Sequence, residues 1–219
     1  EFEYVFEKIK PQFDKKLEEN GFVPLGWAMT GWVKWFTKSK ILYPDDLKQI
    51  KVAVDNTDEK IIQIWQNIGY KVIPLSLSDL MAGIYSGMAE GTYITPYAAN
   101  AMGLAEYTPF MLELEIAPVY GLLTISDRTW RRVNDSYKPL LIKRTGEILD
   151  QFYGKITVIE NEGLKVMKHK GLVSVPVTPE AVKAWEKIVE DGVTLFVDET
   201  ISTSIYAEIK KYINEYRRK

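Results

Sequence analysis

The sequence predicts an α/β fold, and three observations along residues 44–130 predict it. Short apolar runs suited to buried strands recur at residues 50–54 (IKVAV), 71–75 (KVIPL) and 92–95 (TYIT). Helical patterns separate them: Ile61, Ile62, Trp65 and Ile68 before Gly69, then SLSDLMAGIYSGMAEG. The third run opens directly into PYAANAMG, another helical start. Strands alternating with helices imply a largely parallel sheet covered on both faces. Such sheets bind ligands beyond the carboxyl ends of their strands. The loops after Val54, after Leu75 and around residues 93–97 are therefore the first place to look for function.

The remaining elements follow in chain order. Residues 3–20 read as a helix, with Phe2, Val5, Phe6, Ile9, Phe13 and Leu17 on one face and Gly21 as its stop. Pro11 is expected to kink or divide it. FVPLGWA reads as a strand entering an aromatic turn, followed by GWVKWFTKSKI and a short helix opening at Pro44. FMLELEIAPVYGLLTIS is a long extended segment with an expected break at Pro118. From Ser126 to Leu164 apolar residues recur at helical spacing, and Pro139, Gly146 and Gly154 point to a bent or segmented helix. GLVSVPV is a strand. TPEAVKAWEKIVED is a helix with Thr178 as N-cap and Pro179 first, and a final amphipathic helix is expected over residues 200–218.

Composition excludes several classes of function. The 219 residues carry 28 basic and 30 acidic side chains, a net charge of −2, so no basic face marks a nucleic-acid partner. With no cysteine, disulfides, thiolate nucleophiles and cysteine-held metals are out, and the single histidine, His169, rules out a multi-histidine site. His169 precedes Gly171 at a helix C-terminus, where a cationic side chain complements the dipole. No apolar run reaches the roughly 18 residues of a membrane helix. The chain has no G-x-S-x-G, Walker A or G-x-G-x-x-G motif. Its carboxylate pairs read as caps or solvated faces, so the expectation is a protein that is not an enzyme, with no cofactor and no metal.

Aromatic density at predicted strand ends is the positive signal. Trp27, Trp32, Tyr93, Tyr97 and Tyr120 cluster there, and the first four flank glycines 26, 31 and 91, which let the backbone turn and the rings project. Ligand sites are concave and mostly apolar, oriented by a few polar groups. Thr92 and Thr95 are placed to supply those.

Taken together, GFVPLGW, GWVKWFTKSK, PDDLKQIKVAV, the stretch from IWQNIGYKVIPL to GMAEG with Glu90 near its end, and ISDRTW resemble the solute-binding proteins of TRAP transporters, the DctP type. The resemblance runs over nearly the whole chain. It implies a two-lobed periplasmic-binding-protein-like (type II) α/β fold with hinge strands and a long lobe-spanning helix. Lobe I would comprise residues 1–30 plus 120–158, and lobe II residues 31–119 plus 159–219. It implies a periplasmic receptor that closes on a small organic solute in an inter-lobe cleft and delivers it to the membrane permease subunits. Family members carry further chain ahead of the region matched here, so lobe I is expected to lack its N-terminal part and to leave apolar surface uncovered.

One departure bears on the solute. The family's carboxylate-binding arginine in the second block falls on Ala53, and a second arginine, after the glycine of the aromatic turn, falls on Val33. The asparagine often found near the third turn is replaced at or near Tyr93. Losing one charge-assisted pair costs ~1.5–3 kcal/mol, about tenfold or more in affinity. The expected solute is therefore neutral or apolar, stacked on Trp27, Trp32 and Tyr93, with Thr92, Thr95 and Tyr97 hydrogen bonding and Tyr120 nearby; for an acidic solute, Lys34 or Lys40 would have to supply the cation. A second expectation is a receptor scaffold acting through protein–protein interaction, for instance with a periplasmic helical-repeat partner.

Overall fold

A computed structural model of the chain describes residues 1–57, 59–197 and 201–218. The chain divides into two compact units: residues 1–29, 120–154 and 197–219, and residues 30–119 and 155–196. Residues 197–219, expected with the second lobe, fall in the first unit instead. The reason is α9 (Thr203–Arg217), which packs along α1 (Phe2–Glu19) and ties Arg217 to Glu1 through two hydrogen bonds of 2.6 and 3.0 Å. The expected start of this helix at Thr200 lies outside the described residues; the observed N-cap is Ser202, whose hydroxyl accepts from the Ile205 N–H.

In the first unit, α1 buries Val5, Phe6 and Ile9 and runs unbroken through Pro11, against the expected division. Proline removes one backbone donor, and the amphipathic face holds the helix on both sides of the gap. This unit also exposes large apolar side chains, among them Leu123, Leu140, Ile142 and Ile148.

The second unit contains both buried clusters, one on each face of a sheet. Strands β1 (Phe22–Thr37), β2 (Lys51–Asp55), β3 (Lys71–Leu75), β4 (Gly91–Ile94), β5 (Phe110–Leu112) and β7 (Val173–Val175) lie in the order β3-β2-β4-β1-β5-β7, and β6 (Ala117–Ser126) pairs with β1. β2 runs parallel to β3 and β4, whereas β1 is antiparallel to β4 and β5. Alternation sends Phe36, Ala53 and Ile94 to one face, against Leu80, Ile84 and Leu104. Trp35 and Val52 go to the other face, with Leu47, Tyr70 and Trp185. The expected parallel strand-helix core is present, with helices α2 (Pro44–Leu47), α3 (Glu59–Asn67), α4 (Leu80–Tyr85) and α5 (Pro96–Ala101) between its strands.

Three local expectations are corrected. The aromatic segment 22–37 is one 16-residue strand rather than strand, turn and strand; Gly31 enters it with φ +115° without ending it. The break in the extended segment falls between Leu112 and Ala117, so Pro118 lies inside β6. After α6 (Asp127–Trp130), helix α7 (Lys138–His169) is continuous for 32 residues, about 48 Å at 1.5 Å per residue, despite three glycines. Gly163 serves packing there: a Cβ would stand 3.3 Å from Asn100 of α5. Thr178 caps α8 (Pro179–Phe196) as expected, accepting from the Ala181 N–H at 3.2 Å.

Candidate functional site

The carboxyl ends of β2, β3 and β4 surround a cavity of about 150 Å³ in the second unit. Its lining comes from the three predicted positions: Ala53, Val54 and Asp55; Leu75, Ser76 and Leu77; and Thr92, Tyr93 and Ile94, with Leu80 behind them. Among the described residues that line it there is no lysine, arginine or histidine, and Asp55 is the one carboxylate. The Asp55 carboxylate accepts the Thr57 N–H at 2.8 Å, which shapes the loop after β2. Ser76 bonds Ser78 at 2.7 Å and Asp79 at 2.6 Å, which shapes the loop after β3 and leaves Leu77 63% exposed.

The predicted residues separate into groups. Ala53, Thr92 and Tyr93 come together at this cavity. Ala53 is buried in the core, and Thr92 donates to its carbonyl at 3.3 Å. The Tyr93 ring stacks on Trp65 and meets Trp35 edge-on, so neighbouring rings already pack against it. Burial first, and Asp55 second, raise the pKa of its phenol. Thr95 spends its hydroxyl as the N-cap of α5, accepting from the Ala98 N–H at 3.3 Å. Tyr97 exposes about half its surface, and its backbone N–H lies close enough to Glu160 to favour the ionised carboxylate. Val33 is buried in β1 and its carbonyl accepts from the Ile116 N–H at 3.0 Å, while Trp32 beside it is half-buried.

Trp27 and Tyr120 belong to the first unit. Trp27 donates its indole N–H to Asp14 at 2.7 Å and lies edge-on to Phe6, whose ring also contacts Tyr120 at 4.2 Å. Both line a separate pocket of about 410 Å³, with Lys10, Leu149 and Asp150 on its walls.

Residues 3–199 match the DctP family, bacterial extracellular solute-binding protein, family 7. The chain belongs to this family. No curated protein matches it significantly. Among solved structures, the periplasmic ectoine-binding protein of the TeaABC TRAP transporter of Halomonas elongata aligns over 99% of this chain and 72% of its own, at 15% identity and a TM-score of 0.86. A TRAP periplasmic solute-binding protein of Desulfovibrio salexigens, with bound orotic acid, aligns over 99% and 70%, at 16% identity and TM-score 0.85. A third, from Xanthobacter autotrophicus Py2 with bound β-D-galacturonate, aligns over 96% and 69%, at 15% identity and TM-score 0.84. The expected family and its fold are thereby shown.

This DctP-family chain also holds a feature that sequence reasoning missed. Glu160 of α7 lies against Gly31, where a Cβ would collide with its carboxylate. One carboxylate oxygen is buried without a hydrogen-bond partner among the described residues, and burial is the main cause of a raised pKa. The Tyr97 N–H and Lys34 act in the opposite sense, and Glu115 adds to the rise. A signal was present: Glu160 occupies the helical stripe of Ile156, Gly163, Leu164 and Met167, where an apolar residue is expected. Among the described residues, no group of three His, Cys, Asp or Glu side chains is arranged to hold a metal.

Proposed function

We propose that this chain is the periplasmic solute receptor of a TRAP-type transporter, that it takes a small neutral or apolar organic solute, and that it hands the solute to the membrane permease subunits. Membership of the DctP family supports the receptor role. The observation that carries the choice of solute is the described lining of the second unit's crevice: apolar side chains, the hydroxyls of Ser76, Thr92 and Tyr93, one carboxylate and, among the described residues, no cation. A carboxylate-bearing solute there would meet Asp55 with no guanidinium to offset it, and desolvating an unpaired charge is costly.

In this reading Ala53 and Thr92 form the floor and Tyr93 and Leu77 the walls, while Thr95 and Tyr97 hold the adjoining turn in shape. Trp27 and Tyr120 are the first unit's candidates for solute contact, and Trp32 and Val33 mark the β1 segment nearest the departed arginine. The protein binds and releases its solute unchanged, and no cofactor is required.

The test is a thermal-shift and calorimetric panel that pairs neutral solutes with carboxylates of similar size. A solute at a hundredfold excess over its Kd adds ~2.7 kcal/mol of stability, which is readily detected. Neutral solutes are expected to stabilise the protein, and uronates and orotate to leave it unchanged. Leu77→Arg, at an exposed position that tolerates the change, is expected to reverse that order. Stabilisation of the native chain by the acids alone would overturn the assignment of solute class.

A further inference from the structure

The hydrogen bonds around the second unit's crevice narrow its solute further. The Ser76 hydroxyl donates to Asp79 at 2.6 Å, which leaves Ser78 as the donor in the 2.7 Å contact between the two serines. The Ser76 oxygen also accepts the Asp79 N–H at 3.2 Å. A hydroxyl has one hydrogen and two acceptor positions, so Ser76 has none left. Thr92 donates its one hydrogen to the Ala53 carbonyl. Asp55 differs. One of its oxygens accepts the Thr57 N–H at 2.8 Å, and no described residue donates to the other. Asp55 stands at the exposed end of β2 and lines the crevice with Tyr93, whose phenol feels its charge.

Apart from the Tyr93 phenol, the described side chains of the lining therefore offer a solute an acceptor and no donor. Covering a charged oxygen with a group that cannot donate to it is unfavourable, so a wholly apolar solute fits poorly. A primary ammonium brings three hydrogens, and among the described lining Asp55 is the one carboxylate to receive them. One N–H or O–H on a neutral body matches one free oxygen. The space of about 150 Å³, walled by Leu75, Leu77, Leu80 and Ile94, suits a single small ring.

We propose that Asp55 is a specificity-determining residue of the crevice, and that the solute is a small neutral molecule whose N–H or O–H group donates to the free Asp55 oxygen. The proposal rests on the reading of the crevice as a site for a neutral solute. Within that class it selects alcohols, amides and lactams over ketones, ethers and hydrocarbons of equal size.

The test presents a five-membered ring in different forms to the intact chain, with calorimetry as the readout. Cyclopentanol and 2-pyrrolidinone donate; cyclopentanone and N-methyl-2-pyrrolidinone do not; cyclopentylammonium and cyclopentanecarboxylate carry the two charges. Each donor is expected to bind about tenfold tighter than its counterpart without the hydrogen, the difference one hydrogen bond to a charged group makes. Asp55→Asn keeps an oxygen for the Thr57 N–H and sets an amide NH2 where the free oxygen stood, so it is expected to invert that order. Asp55→Ala is expected to level it. Nuclear Overhauser contacts from bound cyclopentanol to Leu77 and Leu80 in the native chain locate the ring. Equal affinity across the four neutral rings, or an unchanged order in a folded Asp55→Asn protein, would overturn this proposal and leave the crevice as a site for neutral solutes. Preference for either charged ring, or no binding of any neutral one, would overturn both.

Discussion

Replacing Gly31 by alanine tests the arrangement around Glu160 most directly. Gly31 has φ +115°, a region that side chains bearing a Cβ rarely enter, and such backbone strain costs ~1–3 kcal/mol. The added methyl also collides with the Glu160 carboxylate. That carboxylate sits at the end of a flexible side chain, so it will move away and lose the electrostatic support of the Tyr97 N–H. Losing that support and repacking the side chain costs ~1–2 kcal/mol. The sum is about 2–5 kcal/mol for Gly31→Ala. In a Glu160→Ala background the collision and the lost contact are already gone, leaving only the strain of ~1–3 kcal/mol. Urea unfolding of the four proteins of this double-mutant cycle, with one probe in each unit, measures the coupling, expected at ~1–2 kcal/mol. A cost below about 0.5 kcal/mol for Gly31→Ala, or the same cost in both backgrounds, would refute this account of why β1 carries glycine there.

Three other outcomes are expected. The Glu160 pKa is raised in the folded state, so its contribution to stability is full below the ordinary value of 4.5 and is lost as pH rises through the folded pKa; Glu160→Gln should gain in urea midpoint relative to the native chain between pH 4 and pH 8, and a constant difference would contradict the burial. Thr95→Ala removes the α5 cap and should cost ~1 kcal/mol in chemical denaturation, with Thr95→Ser retaining most of it. Arg217→Ala breaks an exposed pair with Glu1 and should change stability by less than about 1 kcal/mol, with the effect shrinking in salt.

Where strand and helix periods were clean, the sequence was a good guide. The units from β2 to α5 appear where their apolar runs and caps placed them, because β2 and β4 are buried on both faces, β3 is partly buried at the sheet edge, and each helix turns one stripe inward. The loops that form the crevice follow from that order alone. Segment 22–37 misled because two glycines among tryptophans read as a turn, whereas pairing on both sides holds the strand extended. Tyr93 was legible as a residue at the crevice, but not as one stacked against Trp65, since that ring arrives from a helix nearly 30 residues away in the chain.

What the sequence determined by itself was the α/β class, the family and the three loops at the strand ends. These depend on local period and on residue identity at matched positions, which need no coordinates. Only the tertiary structure placed Glu160 against Gly31 and put α9 with α1. Each of those depends on which side chains from distant segments meet, and on how completely they fill the volume between them, neither of which a one-dimensional pattern contains.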